Sequence, residues 1–587
     1  MTSARAVALA MPDQDLARPF RDPAAPGART SARTLALRAL VLGAPLGVTL
    51  ALGWVSLGWF GLDGRLTVAE GALVAVTVFA FYWVVLSVAT ALAGLGWRAA
   101  PAAAPGRALD VAILLPMYGE DAPATIGTAV RLLAGLAGAH HRFSLHILSD
   151  SRDPAAVRHE SAVAAAARAA QPTLAIRYRH RPQNRDYKSG NIRDWVRARG
   201  AAHAAMLVLD ADSVMGPRTV IAMADAMAAD DGLGLVQTVP RVLPGDTLWQ
   251  RLQSFASEVY GTNLGRGFAM WTGDEGNFLG HNAMLRTRAF AASAGLPHLP
   301  GAAPRGGVIL SHDFVEAALL RRAGWGVRMM PEANDSFEAT PATLAGYLRR
   351  DRRWCQGNMQ HLRILGAPGL HPMSRFHLAQ GAMAYLASVW WLVLLVLWTL
   401  PGQGGAMPEF FAQNPLMPVW PVLPSVTQGA LAALVGAMLL APKVLGELAH
   451  LRDNGRPRPG FAAMLAAEVA LSAAMAPMLM VHQVRAVART AFGFDGGWLP
   501  HAAGRADLAT LIRLHATETV LGAGLVGLAL AGQLSAWLVP VALCLCAAVP
   551  LAALVQTPVR GPVPVPAPVP VPVPAPVPVP APVPFAA

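Results

Sequence analysis

Cysteine is nearly missing from this 587-residue sequence: Cys355, Cys544 and Cys546 are the only three. That pattern excludes a disulfide framework and suits a cytoplasmic catalytic part. Charge is scarce too, at 14% Asp, Glu, Lys and Arg, where a soluble domain carries about 25%. The shortage falls before residue 100 and after residue 375, so a wholly soluble chain is excluded while a soluble block between those points is not. Zinc-finger spacing and aromatic-basic RNA motifs are absent, which argues against a nucleic-acid partner. The 47 Lys and Arg against 35 Asp and Glu, a formal charge of +12, instead read as basic residues beside membrane segments, some of them meeting phosphates. The start, MTSARAVALAMPDQDLARPFRDPAAPGART, lacks a long apolar core of the signal-peptide kind, and residues 1–35 read as a disordered cytoplasmic arm.

What the sequence has in plenty is apolar residues, 54% of the total. About 20 in a row cross a bilayer. Residues 40–60 and 71–95 qualify and form a hairpin within a transmembrane unit, 36–98. In a second unit, 376–556, residues 379–400 are a clear span, 429–448 and 461–481 are candidates, and 517–532 with 537–554 make a closing hairpin. Loop 401–423 has no Lys or Arg and should face outward, whereas loop 449–460 carries Arg452, Arg456 and Arg458 and should face the cytoplasm. Residues 484–513 are basic again. Two readings of 461–481 therefore stay open: a full crossing, or a re-entrant or interfacial element containing Glu468 and Pro477. Residues 557–587 are nearly pure Pro-Val and Pro-Ala, a polyproline II tail with no core of its own.

Between the two apolar units, residues 99–345 alternate apolar strands with helices. VAILLPMYG, SLHILSD, LAIRYRHR and MLVLDAD read as strands, which predicts an α/β fold with a mostly parallel, doubly wound sheet. Ligands of such sheets sit at the carboxyl ends of the strands, where Glu120, Asp150, Asp210 and Asp212 fall.

Asp210 and Asp212, on a turn after a strand, can hold a hard divalent cation against the phosphates of a nucleotide-sugar donor. Taken alone, the pair reads equally well as a strand leaving the core into a solvated loop. Lys188, in YKSGN, stands where a helix opens and suits a phosphate; a solvated loop lysine is the alternative. Asp313 follows the apolar run 308–310 at the head of a helix, as a helix cap, a catalytic base, or both. In YLRRDRRWCQGN, Arg350, Arg353 and Trp354 share one helical face. Arginine forks suit a pyrophosphate and an indole suits a sugar face, but a basic interfacial helix over 346–375 would look similar.

The order PMYGED, SD, KSGN, DAD, GHNAM, SHD and RRDRRW resembles the processive family 2 glycosyltransferases, the relatives of cellulose and hyaluronan synthases. LSDS, KSGNI, LDADSVM, SHDFVEAALLRRAGWGV and RDRRWCQGN resemble more closely the glucosyltransferase H family of osmoregulated periplasmic glucan synthesis, over residues 30–555. That resemblance implies a GT-A-type domain inserted between transmembrane helices, in a bacterial inner membrane with the domain in the cytoplasm. It implies an inverting hexosyltransferase that draws on UDP-glucose and lengthens a β-1,2-linked glucan. Tyr118, Glu120 and Asp150 would hold uridine, and Lys188 and Arg350 the diphosphate. Asp210 and Asp212 would carry Mg²⁺ or Mn²⁺. Asp313 would be the base, Arg353 would stabilise leaving UDP, Trp354 would stack on the acceptor, and His281 would line the acceptor pocket. Implied partners are the growing glucan chain, membrane lipids, a periplasmic glucan-processing protein and an acyl carrier protein. The segment 490–498, with Phe492, Phe494 and Trp498, is expected to gate the donor site. Three departures from the broader synthase pattern stand out. Gly119 replaces the usual Asn, Ser-His-Asp replaces Thr-Glu-Asp, and Arg350 replaces the usual Gln.

Overall fold

The computed structural model describes residues 8–27, 30–60, 66–99, 106–332, 334–399, 428–494, 504–534 and 538–561. Helices α1 (Ala32–Phe60) and α2 (Val68–Leu95) come first, α2 opened by a reciprocal capping box between Thr67 and Glu70. The α/β block runs β1 (Asp110–Met117), α3 (Ala122–Gly135), β2 (Arg142–Ser149), α4 (Pro154–Ala170), β3 (Ile176–His180), α5 (Tyr187–Arg199), β4 (Ala205–Val208), β5 (Val214–Met215), α6 (Pro217–Ala229) and β6 (Leu233–Thr238). It continues through β7 (Arg241–Val242), α7 (Leu248–Ala256), a π-helical turn Ser257–Gly261, α8 (Thr262–Thr272), β8 (Ala283–Arg286), α9 (Thr287–Ser293), α10 (His312–Ala323), β9 (Gly326–Met330) and β10 (Ser336–Glu338). Then follow α11 (Leu344–His361), α12 (Pro372–Thr399), α13 (Gln428–Asn454), α14 (Phe461–Ala491), α15 (Leu508–Leu514), α16 (Ala516–Leu530), α17 (Val539–Cys546) and α18 (Ala548–Val555).

A seven-stranded sheet, ordered β3-β2-β1-β4-β8-β6-β9, carries the block. Its inner strand β1 reads VAILL because both faces are covered, as parallel sheets require. Ile113 and Leu115 pack with Ile126, Leu133 and Met223 on one side, while Ala112 and Leu114 pack with Trp195, Phe278 and Leu320 on the other. Only β8 runs antiparallel, between β4 and β6. The order turns back between β1 and β4, so their carboxyl ends open a crevice at the point where this architecture binds ligands. A second, three-stranded sheet, β5-β10-β7, closes one flank of that crevice.

Among the described residues five helices are long and apolar enough to cross a membrane: Ala32–Gly58, Val68–Leu95, Pro372–Leu397, Ala433–Asn454 and Phe461–Ala491. The last is a single 31-residue helix, so Arg485 and Arg489 ride on its end and not on a separate loop. Helices α15 and α16 bend by 64° at their junction, the form of a broken span or a re-entrant element. The closing hairpin differs from the expectation. Its second arm breaks at Ala547 into two helices of eight residues, each about 12 Å long and too short to cross alone. Trp537 and the tail from 562 lie outside the described residues.

The arm is the clearest correction. Residues 8–27 are not disordered but lie along the α/β block in irregular backbone. Gln14 N–H donates to Gly295 O at 2.9 Å, and Asp22 N–H donates to Ala323 O at 3.0 Å. Arg322 donates to Asp15 O at 3.0 Å and to Gln14 Oε1 at 2.8 Å, while Trp325 Nε1 donates to Asp22 Oδ2 at 3.0 Å. Composition suggested disorder because it predicts no helix or strand. Order here comes from partners elsewhere in the chain. Arg322→Ala, which removes a buried, multiply bonded cation, is expected to cost about 1–3 kcal/mol and to make residues 8–27 the first site of limited proteolysis; an unchanged cleavage pattern would contradict this docking.

Candidate active site

Beyond β4 the chain makes one last sheet contact, Leu209 N–H to Leu114 O at 3.0 Å, and then turns. Ser213 closes the turn: its Oγ accepts from Asp210 N–H at 2.9 Å, and its N–H donates to Asp210 O at 3.1 Å. Asp210 and Asp212 thus stand on a fixed rim, and β5 leads on to pair with β10.

Lys188 reaches the rim from the first turn of α5. Its Nζ donates to Asp210 Oδ1 and, at 2.7 Å, to Gly280 O. The residues before it, Asp186 and Tyr187, have φ of 58° and 52°, left-handed values that non-glycine residues adopt at a cost. Asp186 offsets that strain by accepting from Arg193 and, at 2.8 Å, from His298. Gly280 has φ +94°, and a Cβ there would lie 3.3 Å from Asp313 Oδ2. A side chain there would be strained by the backbone and would crowd Asp313, beside the carbonyl that Lys188 uses. Ser311 holds the N-cap position of α10 and Asp313 lies in the first turn, so the cap reading of Asp313 does not hold.

Burial would raise the Asp210 carboxyl, but the Lys188 ammonium, aided by His281 and His312, holds it below the usual range. Among the described residues Asp212 has no ion-pair partner, and burial with the Asp210 charge pushes it up to about 6. His281 Nε2 stands 3.1 Å from Glu338 Oε2. Burial alone would lower that imidazole, but Glu338 and Asp210 bring it up to about 9. Arg353 faces Asp210 and Asp313 and lies 5.7 Å over the Tyr187 ring; burial lowers its guanidinium from the free value. Arg350 sits 4.5 Å over the indole of Trp354, which is 42% exposed.

At the β1 end, the Glu120 carboxylate accepts from Tyr118 N–H, and burial pushes its carboxyl up. Gly119 has φ +77°, a conformation open to glycine and, among other residues, most readily to Asn or Asp. The substitution of Gly for the pattern's Asn thus keeps the turn. Asp150 is engaged on both oxygens by Arg181, at 2.8 and 2.9 Å, and Arg181 also holds Asp194 at 3.0 Å.

The structure therefore brings Lys188, Asp210, Asp212, His281, Asp313 and Arg353 around one crevice, with Arg350 and Trp354 on the adjoining helix and Asp150 fastened to Arg181. Of the expected gate, Phe492 and Phe494 are exposed and Trp498 lies outside the described residues. Sequence reasoning missed Gly280, His312, Arg181 and Glu338. FLGHNAM held the glycine in plain view, whereas Glu338 sits in a three-residue strand with no motif around it.

Among the described residues no three His, Cys, Asp or Glu side chains form a metal cluster. The rim still fits a hard divalent ion: two carboxylate ligands, one of them pushed up by burial and by its neighbour's charge, with phosphate and water left to complete the oxygen shell.

Residues 113–293 match Glycosyl transferase family 2, and residues 205–438 match Glycosyl transferase family group 2. "Glucans biosynthesis glucosyltransferase H" of Rhodopseudomonas palustris is 40% identical over 517 residues, 84% of this chain and 71% of that protein. The protein of the same name from Vibrio cholerae is 40% identical over 516 residues, with the same two shares, 84% and 71%. That of Shewanella oneidensis is 39% identical over 513 residues, 84% of this chain and 70% of that one. A solved structure, mannosyltransferase PcManGT from Pyrobaculum calidifontis in complex with GDP-Man and Mn2+, is 14% identical. It covers 66% of this chain and 100% of its own at a TM-score of 0.41, too distant to carry an argument about the site.

The His281–Glu338 pair generates a pH prediction. With the folded value raised to about 9, the pair stabilises the fold fully below the free imidazole range near ~6.5 and loses that contribution as pH rises through the folded value. Glu338→Gln is expected to lower Tm in detergent at neutral pH and to differ little from wild type once His281 is neutral. An equal decrement on both sides of that range would contradict the pairing.

Proposed function

The chain belongs to the glucans biosynthesis glucosyltransferase H family and is a membrane glycosyltransferase of family 2, and from that premise we propose that it transfers glucose from UDP-glucose to a growing β-1,2-glucan. The catalytic block would face the cytoplasm of a bacterial inner membrane, and the helices would pass the product outward. The observation that carries this reading is the meeting of Lys188 with Asp210 beside Asp212 and Asp313, at the carboxyl ends of the sheet.

Each residue then has a task set by its chemistry. Tyr118 and Glu120 hold the uridine. Asp150 adds an acceptor for the uracil N–H, since a carboxylate has about four acceptor positions and Arg181 takes two. Lys188 exchanges its Asp210 contact for the donor phosphates, and Arg350 supports them. Held by Asp210 and Asp212, Mg²⁺ or Mn²⁺ would neutralise the diphosphate as it leaves. Asp313 accepts the proton of the acceptor hydroxyl, whose oxygen attacks the anomeric carbon from the face opposite UDP. The glycosidic C–O bond to phosphate breaks in the same displacement, with inversion, and Arg353 balances the charge arriving on UDP. Trp354 stacks on the acceptor sugar, its ring steadied by Arg350, and His281 lines the acceptor pocket.

The test is UDP release by the purified protein from UDP-glucose with Mg²⁺, followed by linkage analysis of the product. Wild type is expected to release UDP and yield β-1,2 linkages. Asp313→Asn should fall by about 100-fold or more while still binding UDP, as loss of a general base predicts. Asp212→Ala should lose both turnover and UDP affinity. Turnover with a different UDP-sugar and none with UDP-glucose would overturn the proposal.

A further inference from the structure

Asp313 does not hold its own position. The residues that lead into its helix, 303–310, form no regular element, and Ser311 holds the cap of α10. What fastens them is the last turn of α11. Gln360 is 1% exposed. Its amide nitrogen points at three carbonyls, Pro304 O and Gly306 O at 3.3 Å and Val308 O at 3.1 Å. Its amide oxygen accepts from Leu310 N–H at 3.0 Å. Three further residues of the same turn finish the grip. His361 Nε2 donates to Ser311 O at 2.9 Å, and its ring stacks on Phe314 at 5.4 Å between centroids. Asn358 Nδ2 reaches Ser311 Oγ at 3.5 Å. Gly357 has room for no Cβ, which would collide with Ser311 Oγ and with Ser311 N.

We infer that Gln360 is a positioning residue for transfer, setting where Asp313 stands relative to Arg353 and Trp354 on the same helix. The helix is a ruler: Arg353 and Trp354 lie two turns before Gln360, so one rigid element fixes the leaving-group cation, the acceptor platform and the base in a single frame. The amide is matched to this task. A carboxylate at 360 would face three carbonyl oxygens with no proton to offer, and a thioether would leave those carbonyls and Leu310 N–H without their partner. Gln360 is buried and its amide is spent on the backbone of 304–310, so its loss acts through Asp313. The inference rests on the reading of Asp313 as the base.

The experiment measures UDP release from UDP-glucose, calorimetric UDP binding and Tm for Gln360→Met, Gly357→Ala and Asp313→Asn in detergent. Gln360→Met is expected to lower kcat by about 10- to 100-fold, the effect of misplacing a reacting group by about an ångström, with UDP affinity kept within about twofold. Gly357→Ala, which pushes Ser311 from the other side, should show the same split. It carries the test should Gln360→Met fail to fold. Wild-type kcat in both variants overturns the inference, and so does a parallel loss of turnover and UDP binding, which would mark general structural damage. Asp313→Asn separates the two layers. If it is inactive while Gln360→Met turns over normally, the positioning role alone fails. If Asp313→Asn itself turns over normally, the base reading fails and the positioning role with it.

Discussion

The cleft is arranged around the reach of Lys188 to both Asp210 and Gly280 O. Its purpose is positional and not chiefly energetic. The two side chains are 23% and 37% exposed, so their attraction is worth closer to the ~1 kcal/mol of a surface pair than to the several kcal/mol of a sealed one. What the contact does is settle one of two neighbouring carboxylates and leave the other, Asp212, short of positive charge. A strained left-handed pair of residues aims the lysine, and a glycine at φ +94° lets its second acceptor lie against Asp313. On the proposed reading, a cation-bound diphosphate would correct that imbalance.

The catalytic block is held to the helices by buried polar contacts as well as apolar packing. Glu275 gathers Thr30 and Arg38 from the N-terminal side, Arg321 from α10 at 3.6 Å and His371, just before α12, at 3.5 Å. On the far side, Lys443 of α13 donates to Glu468 of α14 at 2.6 Å, and Tyr260 of the π-helical turn donates to the same carboxylate at 3.1 Å. Asp351 of α11 accepts from Tyr385 of α12 at 3.2 Å and from Gln483 of α14 at 3.3 Å. Charges at membrane depth are costly unless paired. These pairings let the helix that carries Arg353 and Trp354 sit in one place on the bundle.

Much of this was legible in the sequence for physical reasons. β1 could be read because a strand buried on both faces must be apolar throughout; the DAD turn, ambiguous alone, drew its reading from its order among KSGN, GHNAM and SHD. Arg350 and Trp354 were placed on one face by helical periodicity alone, and they do touch. The antiparallel β8, at four residues, carries no alternation long enough to read. Glu338 and Arg181 act through partners far away in sequence, which no local pattern records. The arm failed for the same reason: Asp22 and Gln14 find their partners some 300 residues downstream. Nor could the break at Ala547 be seen, since two short apolar helices and one long one have the same composition.

The most direct test of the central claim, that the crevice is charged to receive a cation-bound diphosphate, is a calorimetric titration of UDP into the purified protein with Mg²⁺ and again in EDTA. The account predicts binding that weakens by about tenfold or more, 1.4 kcal/mol or greater, when the divalent ion is removed. Equal affinity in the two conditions would show that Asp210 and Asp212 do not meet the donor through a metal and would contradict the account.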